Sequence, residues 1–191
     1  MAIRNLDFSE RQIFWGNILL IICCAFYLAW WLLAFKPTGA IKGMKTGWLL
    51  IPAFVAGLAA IVLAVKGLRS ASVEAALFPS GLLLWGGIAA YLVLLAVTGL
   101  LLQRQVTTEL LLIVGWAVLA LSEINTLYGA GRFPHESAVV SAVVIGVATL
   151  ISLVCYVLYY NLGDRAGYFD GMIPLFMAAL VTAGISIAMT I

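Results

Sequence analysis

Ala-Val-Val-Ser-Ala-Val-Val-Ile-Gly-Val-Ala-Thr-Leu-Ile-Ser-Leu-Val-Cys-Tyr-Val-Leu-Tyr-Tyr, residues 138–160, decides the fold. Its 23 positions hold no charged residue and no proline. A helix rising 1.5 Å per residue crosses the hydrocarbon core of a bilayer in about 20 apolar residues. The run is continuously apolar, whereas a membrane barrel strand alternates apolar and polar side chains. A helix also satisfies its own backbone hydrogen bonds, as lipid requires. Residues 14–35, 48–65, 81–102, 110–128 and 172–191 read in the same way, so the sequence predicts six membrane-spanning helices.

Composition leads to the same class. The chain of 191 residues is 65% hydrophobic and 9% charged, against about half and about a quarter in soluble domains. So short a chain cannot hide that much apolar surface in one water-facing core. The connections are short and polar: Lys36-Pro37-Thr38-Gly39, Arg69-Ser70-Ala71-Ser72, Gln103-Arg104-Gln105, Gly131-Arg132-Phe133-Pro134-His135 and Asn161-Leu162-Gly163-Asp164-Arg165. They leave no room for an inserted soluble domain, and residues 1–191 read as a single membrane domain. The expected class is an all-α integral membrane protein, a six-helix bundle whose first partner is the lipid bilayer. A net charge of +2 gives no basis for a nucleic-acid partner.

The flanks add detail. Asp7 and Glu10 have the spacing of an Asp variant of the capping box, which starts the first helix ahead of its apolar run. That run lacks a small-x-small cleavage site and is expected to be retained. Trp15, Trp30, Trp31, Trp48, Tyr159, Tyr160 and Tyr168 lie near run ends, where aromatic belts form; Trp85 and Trp116 lie deeper. With six crossings, Arg4, Arg11, Lys66, Arg69 and Arg132 share one side, and Lys36, Lys42, Lys45, Arg104 and Arg165 the other. Five against five gives the positive-inside rule nothing to act on. The expected location is the plasma (inner) membrane of a prokaryote.

A weak internal repeat runs through the chain. Residues 53–59 align with residues 142–148, pairing Gly57 with Gly146, and a neighbouring offset pairs Gly81 with Gly171. Three-helix copies, residues 1–103 and 104–191, would have inverted topology, an arrangement common in transport proteins. Chance alignment of Ala, Val, Leu and Gly is the competing account. The same four glycines are also candidates for close helix packing.

Glu123 is the charged residue placed well within a spanning run, about one turn from its midpoint. A carboxylate there is costly and usually faces the bundle interior, with a partner or water and often with a function. Trp116, Ala120 and Leu127 share its face, and Asn125 and Thr126 adjoin it in the most polar stretch of any run. The alternative ends the helix early and pairs Glu123 with Arg132 near the headgroups. Asn17, in the first run, is the next polar candidate. Glu123, Trp116, Asn125, Thr126 and Asn17 are therefore the candidate lining of a substrate path.

Chemistry of other kinds finds little footing. Cys23, Cys24 and Cys155 lie inside apolar runs without metal or redox spacing, and His135 is a lone loop histidine. Neither a metal nor a cofactor is implied, and no catalytic or nucleotide motif is present. An enzyme is not expected.

Phe78-Pro79-Ser80-Gly81-Leu82-Leu83 resembles the segment opening the third helix of the bacterial urea and short-chain amide channel family. Leu162-Gly163-Asp164-Arg165, Phe169-Asp170-Gly171 and Val181-Thr182-Ala183 resemble the stretch that enters and runs through its last helix. The resemblance implies two three-helix repeats, a homo-oligomeric ring and passage of a small solute. The chain departs from the family in a fifth helix without tryptophan and in Met177, where the family has a polar residue, so no pore residue is carried over. The expected function is a small channel or transporter for a small solute. The alternative is a non-transporting subunit or scaffold, which would leave a small-residue face such as Ala56, Ala59 and Ala60 open to a partner.

Overall fold

The computed structural model describes residues 6–35, 46–71, 76–79, 81–100, 108–159 and 161–191. Among the described residues seven α-helices are formed: α1 (Phe8–Ala34), α2 (Leu50–Ser70), α3 (Leu82–Leu100), α4 (Thr108–Gly129), α5 (His135–Leu158), α6 (Asp164–Asp170) and α7 (Ile173–Ala188). A 3-10 turn, Thr46–Leu49, leads into α2. With that turn joined to α2, and α6 to α7, six of the described helical segments are long and apolar enough to cross a membrane. Among the described residues there is no strand.

Several helices outrun their apolar stretches. Glu10 accepts the Asp7 N–H at 2.8 Å in the capping box, so α1 starts at Phe8 rather than residue 14. Its 27 residues reach about 40 Å, more than the roughly 30 Å of a hydrocarbon core. The last run is preceded by α6, which carries Asp164, Arg165 and Asp170 and so reads as a loop in sequence. Pro174 stands in the first turn of α7, where its missing N–H costs no hydrogen bond.

Helix α1 organises the bundle, packing most extensively on α2 and also on α7, while α4 packs on α5 and α3, and α5 on α7. The α1–α2 seam is made of missing side chains. Ala53, Ala56, Ala60, Ala64 and Gly67 form the buried stripe of α2. A Cβ on Gly67 would stand 2.8 Å from the Ser9 carbonyl oxygen and 3.0 Å from the Ile13 nitrogen; one on Gly16 would stand 3.1 Å from the Ala60 oxygen. Of the Ala56, Ala59 and Ala60 face, Ala56 and Ala60 are buried in the bundle and Ala59 is half-buried. Without a hydrophobic drive between helices in lipid, such close backbone approach supplies the packing energy.

The four glycines read as packing sites divide. Gly57 does abut Cys23, where an added Cβ would stand 3.1 Å from the Sγ, and Gly171 lies so close under Trp31 that no Cβ fits. Gly146 faces open space, so its missing side chain serves no close approach. Gly81 serves a turn, with φ +81° just before α3, where an L side chain is strained. Gly16, Gly67 and Gly87, against Val118, are the tight contacts that sequence reading passed over.

The two ends are tied differently. At the end where α1 begins, Arg132 from the α4–α5 turn grips Glu10, with Nε–Oε1 at 2.6 Å and Nη2–Oε2 at 2.8 Å. That carboxylate pushes the Arg132 pKa up. At the other end Trp31 donates to the Tyr168 carbonyl at 3.1 Å, fastening α1 to α6. Trp31 is thus a clamp rather than a simple belt residue. Lys36, Lys42, Lys45, Arg4 and Arg104, half of the charge balance, lie outside the described residues, as do Ser80 and Tyr160.

Gly67→Val is expected to lower unfolding stability in detergent by about 1–3 kcal/mol, because backbone atoms of α1 cannot move aside for the new side chain. Gly146→Ala should leave stability unchanged or slightly raised. Thermal melts or denaturant titrations of the two variants against wild type check both.

Candidate functional site

The core common to α1, α4, α5 and α7 is apolar, with Ile13, Ala120, Ile124, Leu127, Ile145 and Ile185 at its centre. Glu123 sits on α4 at 1% exposure, and Asn17 on α1 is also 1% exposed. The Asn17 side chain lies against the Glu123 carboxyl. Even so, Glu123 Oε1 and Asn17 Nδ2 are both buried without a partner at hydrogen-bond geometry. Among the described residues no cation is within ion-pair distance of Glu123; Arg132 pairs with Glu10 instead. The helix does not end early, since α4 continues to Gly129.

A buried polar group normally has its hydrogen bonds made, and leaving one unmade costs about 1–3 kcal/mol, more for a charged group. The Glu123–Asn17 contact is a buried polar pair in which one carboxyl oxygen and one amide nitrogen find no hydrogen-bond partner among the described side chains and backbone. It is able to take a proton, a cation or a hydrogen-bonding solute as its missing partner.

Trp116, two turns from Glu123 along α4, donates from Nε1 to Thr182 Oγ1 on α7 at 3.3 Å. Thr182 is 2% exposed, and Ser186, one turn on, returns its hydroxyl to the Thr182 carbonyl at 2.9 Å. Sequence reading noted Thr182 only within a resemblance and passed over Ser186. Their i, i+4 spacing on one face of an apolar helix was the available signal. Thr126 is buried on α4, one turn from Glu123 toward the helix end.

Asn125 is not part of this group. Its Oδ1 accepts the N–H groups of Leu77 and Phe78 at 2.7 and 2.9 Å, pinning the strand-like approach to α3 across the end of α4. Sequence adjacency placed it beside Glu123, but a helix turns about 100° per residue, and the two side chains leave α4 in different directions. His135 stacks edge-on to Tyr128, with ring centroids 5.7 Å apart, in the α4–α5 turn.

A second buried carboxyl appears at the other end. Asp170, at the close of α6, is 8% exposed, has Oδ2 unpartnered and lies against the Cys155 thiol. Among the described residues no three His, Cys, Asp or Glu side chains gather as a metal site. No family model matches the chain, nor does any curated protein or solved structure. The fold and site thus stand on their own geometry: a membrane-protein class of helical bundle with a buried, unsatisfied carboxyl–amide pair.

Asn125→Ala is expected to cost about 1–3 kcal/mol by orphaning two backbone donors, and to loosen residues 76–79. Hydrogen exchange at Leu77 and Phe78 should rise sharply in that variant while exchange within α7 stays unchanged.

Proposed function

We propose that the protein moves a small solute or ion across a membrane, with Glu123 and Asn17 as its polar site and Trp116, Thr182 and Ser186 continuing the path. The carrying observation is the Glu123–Asn17 pair, buried in the bundle without a cation and with polar atoms on both sides unpartnered. Ionisable side chains inside membrane bundles mark substrate, ion or proton pathways far more often than they serve packing. The core around the pair is filled by side chains of α1, α4 and α7, which suits a transporter held closed in this conformation better than an open pore. The six-helix bundle is consistent with a non-enzymatic protein. The plasma membrane of a prokaryote and a homo-oligomeric assembly belong to the same proposal.

An inverted repeat within this reading is supported by two correspondences: α1 packs on α2 as α4 packs on α5, and on α7 as α4 packs on α3. Against it, α5 lies on α7 while α2 and α3 scarcely meet, and Gly57 is packed where Gly146 is open. The urea and amide resemblance remains part of the proposal only as one solute class to assay.

The second reading, a non-transporting subunit, is favoured by α3. It joins the bundle chiefly through α4, and Leu84, Trp85, Leu92 and Val93 stand exposed along it. A helix of a partner protein would cover that surface as readily as lipid does.

Purified protein in liposomes is to be assayed for flux of urea, short amides, small organic acids and monovalent ions. Glu123→Gln is expected to reduce flux by about tenfold or more, while Glu136→Gln, at the exposed start of α5, leaves it intact. Proton coupling shows as a pH dependence that flattens in Glu123→Gln; a passive channel shows flux without any ion gradient. Absence of flux for every class, with a stable partner co-purifying, overturns transport in favour of the subunit reading.

A further inference from the structure

An open groove of about 340 Å³ lies along the outer edge of the α1–α2 seam, lined by Phe8, Arg11, Gln12, Trp15 and Leu63. It is remote from Glu123, which belongs to the inner face of the bundle. Phe8, Arg11, Gln12 and Trp15 follow the i, i+3, i+4, i+7 pattern, so they form a single stripe on α1. From Phe8 to Trp15 the stripe runs about 10 Å inward from the start of the helix. On α2, Leu63 closes the groove, and Lys66 follows it one turn nearer the same end. In helices that cross a bilayer, that range covers the headgroups and the upper part of the acyl chains.

The charges at this end are unevenly committed. Glu10 is held in two hydrogen bonds by Arg132. Arg11, the next residue, is exposed, and among the described residues no carboxylate lies within ion-pair distance of it. Asp7, one turn earlier, caps the helix. Along the groove the exposed Phe8 ring comes first, the Arg11 cation one turn inward of it, and Trp15 and Leu63 at the inner end. Between them Gln12 contributes an amide whose Oε1 is buried without a partner.

We propose that this groove binds one anionic glycerophospholipid, its phosphate on Arg11 with Lys66 beside it, and its upper acyl chain along Trp15 and Leu63. From Arg11 inward the groove passes from cationic to apolar, as a lipid does from phosphate to acyl chain, and Phe8 lies beyond the phosphate position at headgroup level. A free phosphate has no use for the apolar half. A choline headgroup brings its own cation toward Arg11 and Lys66, which weakens the same contact. Phosphatidylglycerol, anionic and without a headgroup cation, is the probe that fits.

The test uses the full chain in phosphatidylcholine bicelles titrated with phosphatidylglycerol, with retained lipid counted by native mass spectrometry. Wild type is expected to retain phosphatidylglycerol preferentially. Arg11→Gln should lower that preference about fivefold, the weight of one basic side chain near an anionic membrane surface, and Arg11→Lys should restore most of it. Trp15→Ala should weaken both lipids alike, and Arg69→Gln, at the same end but outside the groove, should change neither. Melting in phosphatidylcholine alone shows whether each variant is folded, and Arg11→Lys keeps the test open if Arg11→Gln is not. Equal retention of the two lipids overturns the proposal, as does an unchanged preference in folded Arg11→Gln. Displacement of phosphatidylglycerol by millimolar inorganic phosphate would instead make the groove a free-anion site and overturn the lipid assignment. None of these outcomes depends on whether the protein transports a solute.

Discussion

Everything in the bundle is arranged around the close approach of α1 to α2. The backbones meet where Gly67 and Gly16 have no side chain and where Ala60 and Ala64 have little. In water, burying larger apolar side chains would be the ordinary way to hold two helices together. In lipid the surrounding chains are as apolar as leucine, so association depends on contact density and short-range attraction. A small-residue seam provides both. It also sets the rotation of α1, and that rotation carries Asn17 toward α4 and Glu10 toward the α4–α5 turn.

The polar groups on α1 and its neighbours are treated in two ways. At the ends they are paired: Glu10 with Arg132, Trp31 with the Tyr168 carbonyl, Asn125 with two backbone amides. These contacts join segments far apart in sequence and fix the register of the helices at both ends. Toward the middle the treatment differs. Glu123 and Asn17 face one another with polar atoms unpartnered, while Trp116 donates across to Thr182 on α7 and Ser186 bonds back within its own helix. Buried polar atoms without a partner also occur nearer the ends, at Gln12 on α1 and Asp170 on α6, but the Glu123–Asn17 contact brings two of them together.

Neighbouring side chains of one helix meet different surroundings. On α4, Ala120, Ile124 and Leu127 fill the core while Glu123 lies among them, and Asn125 leaves toward the approach to α3. On α1, the α2-facing side is small, the α4-facing side carries Asn17, and the outer edge carries Arg11 and Trp15. One amphipathic pattern cannot describe a helix with three such environments. Periodicity is correspondingly weak along α1, since lipid and protein interior are both apolar.

The sequence by itself determined the all-helical class, the number of helices long and apolar enough to cross a membrane, and the candidate carboxyl. Apolar runs of bilayer length have one stable form in lipid, and a lone acidic residue inside such a run stands out without any coordinates. The capping box of Asp7 and Glu10 was also legible, because its partners are three residues apart. Only the tertiary structure decided what each polar or small residue does. Asn125 and Glu123 are two positions apart, yet one clamps a backbone and the other faces Asn17 across more than a hundred residues of chain. Gly57 and Gly146 align in sequence, yet one is packed and the other open. Asp170 is buried though it lies in a charged stretch that reads as loop, because α6 folds it against Cys155. Such outcomes depend on the rotation and crossing of helices, and nothing local in an all-apolar sequence encodes which side of a helix meets protein and which meets lipid.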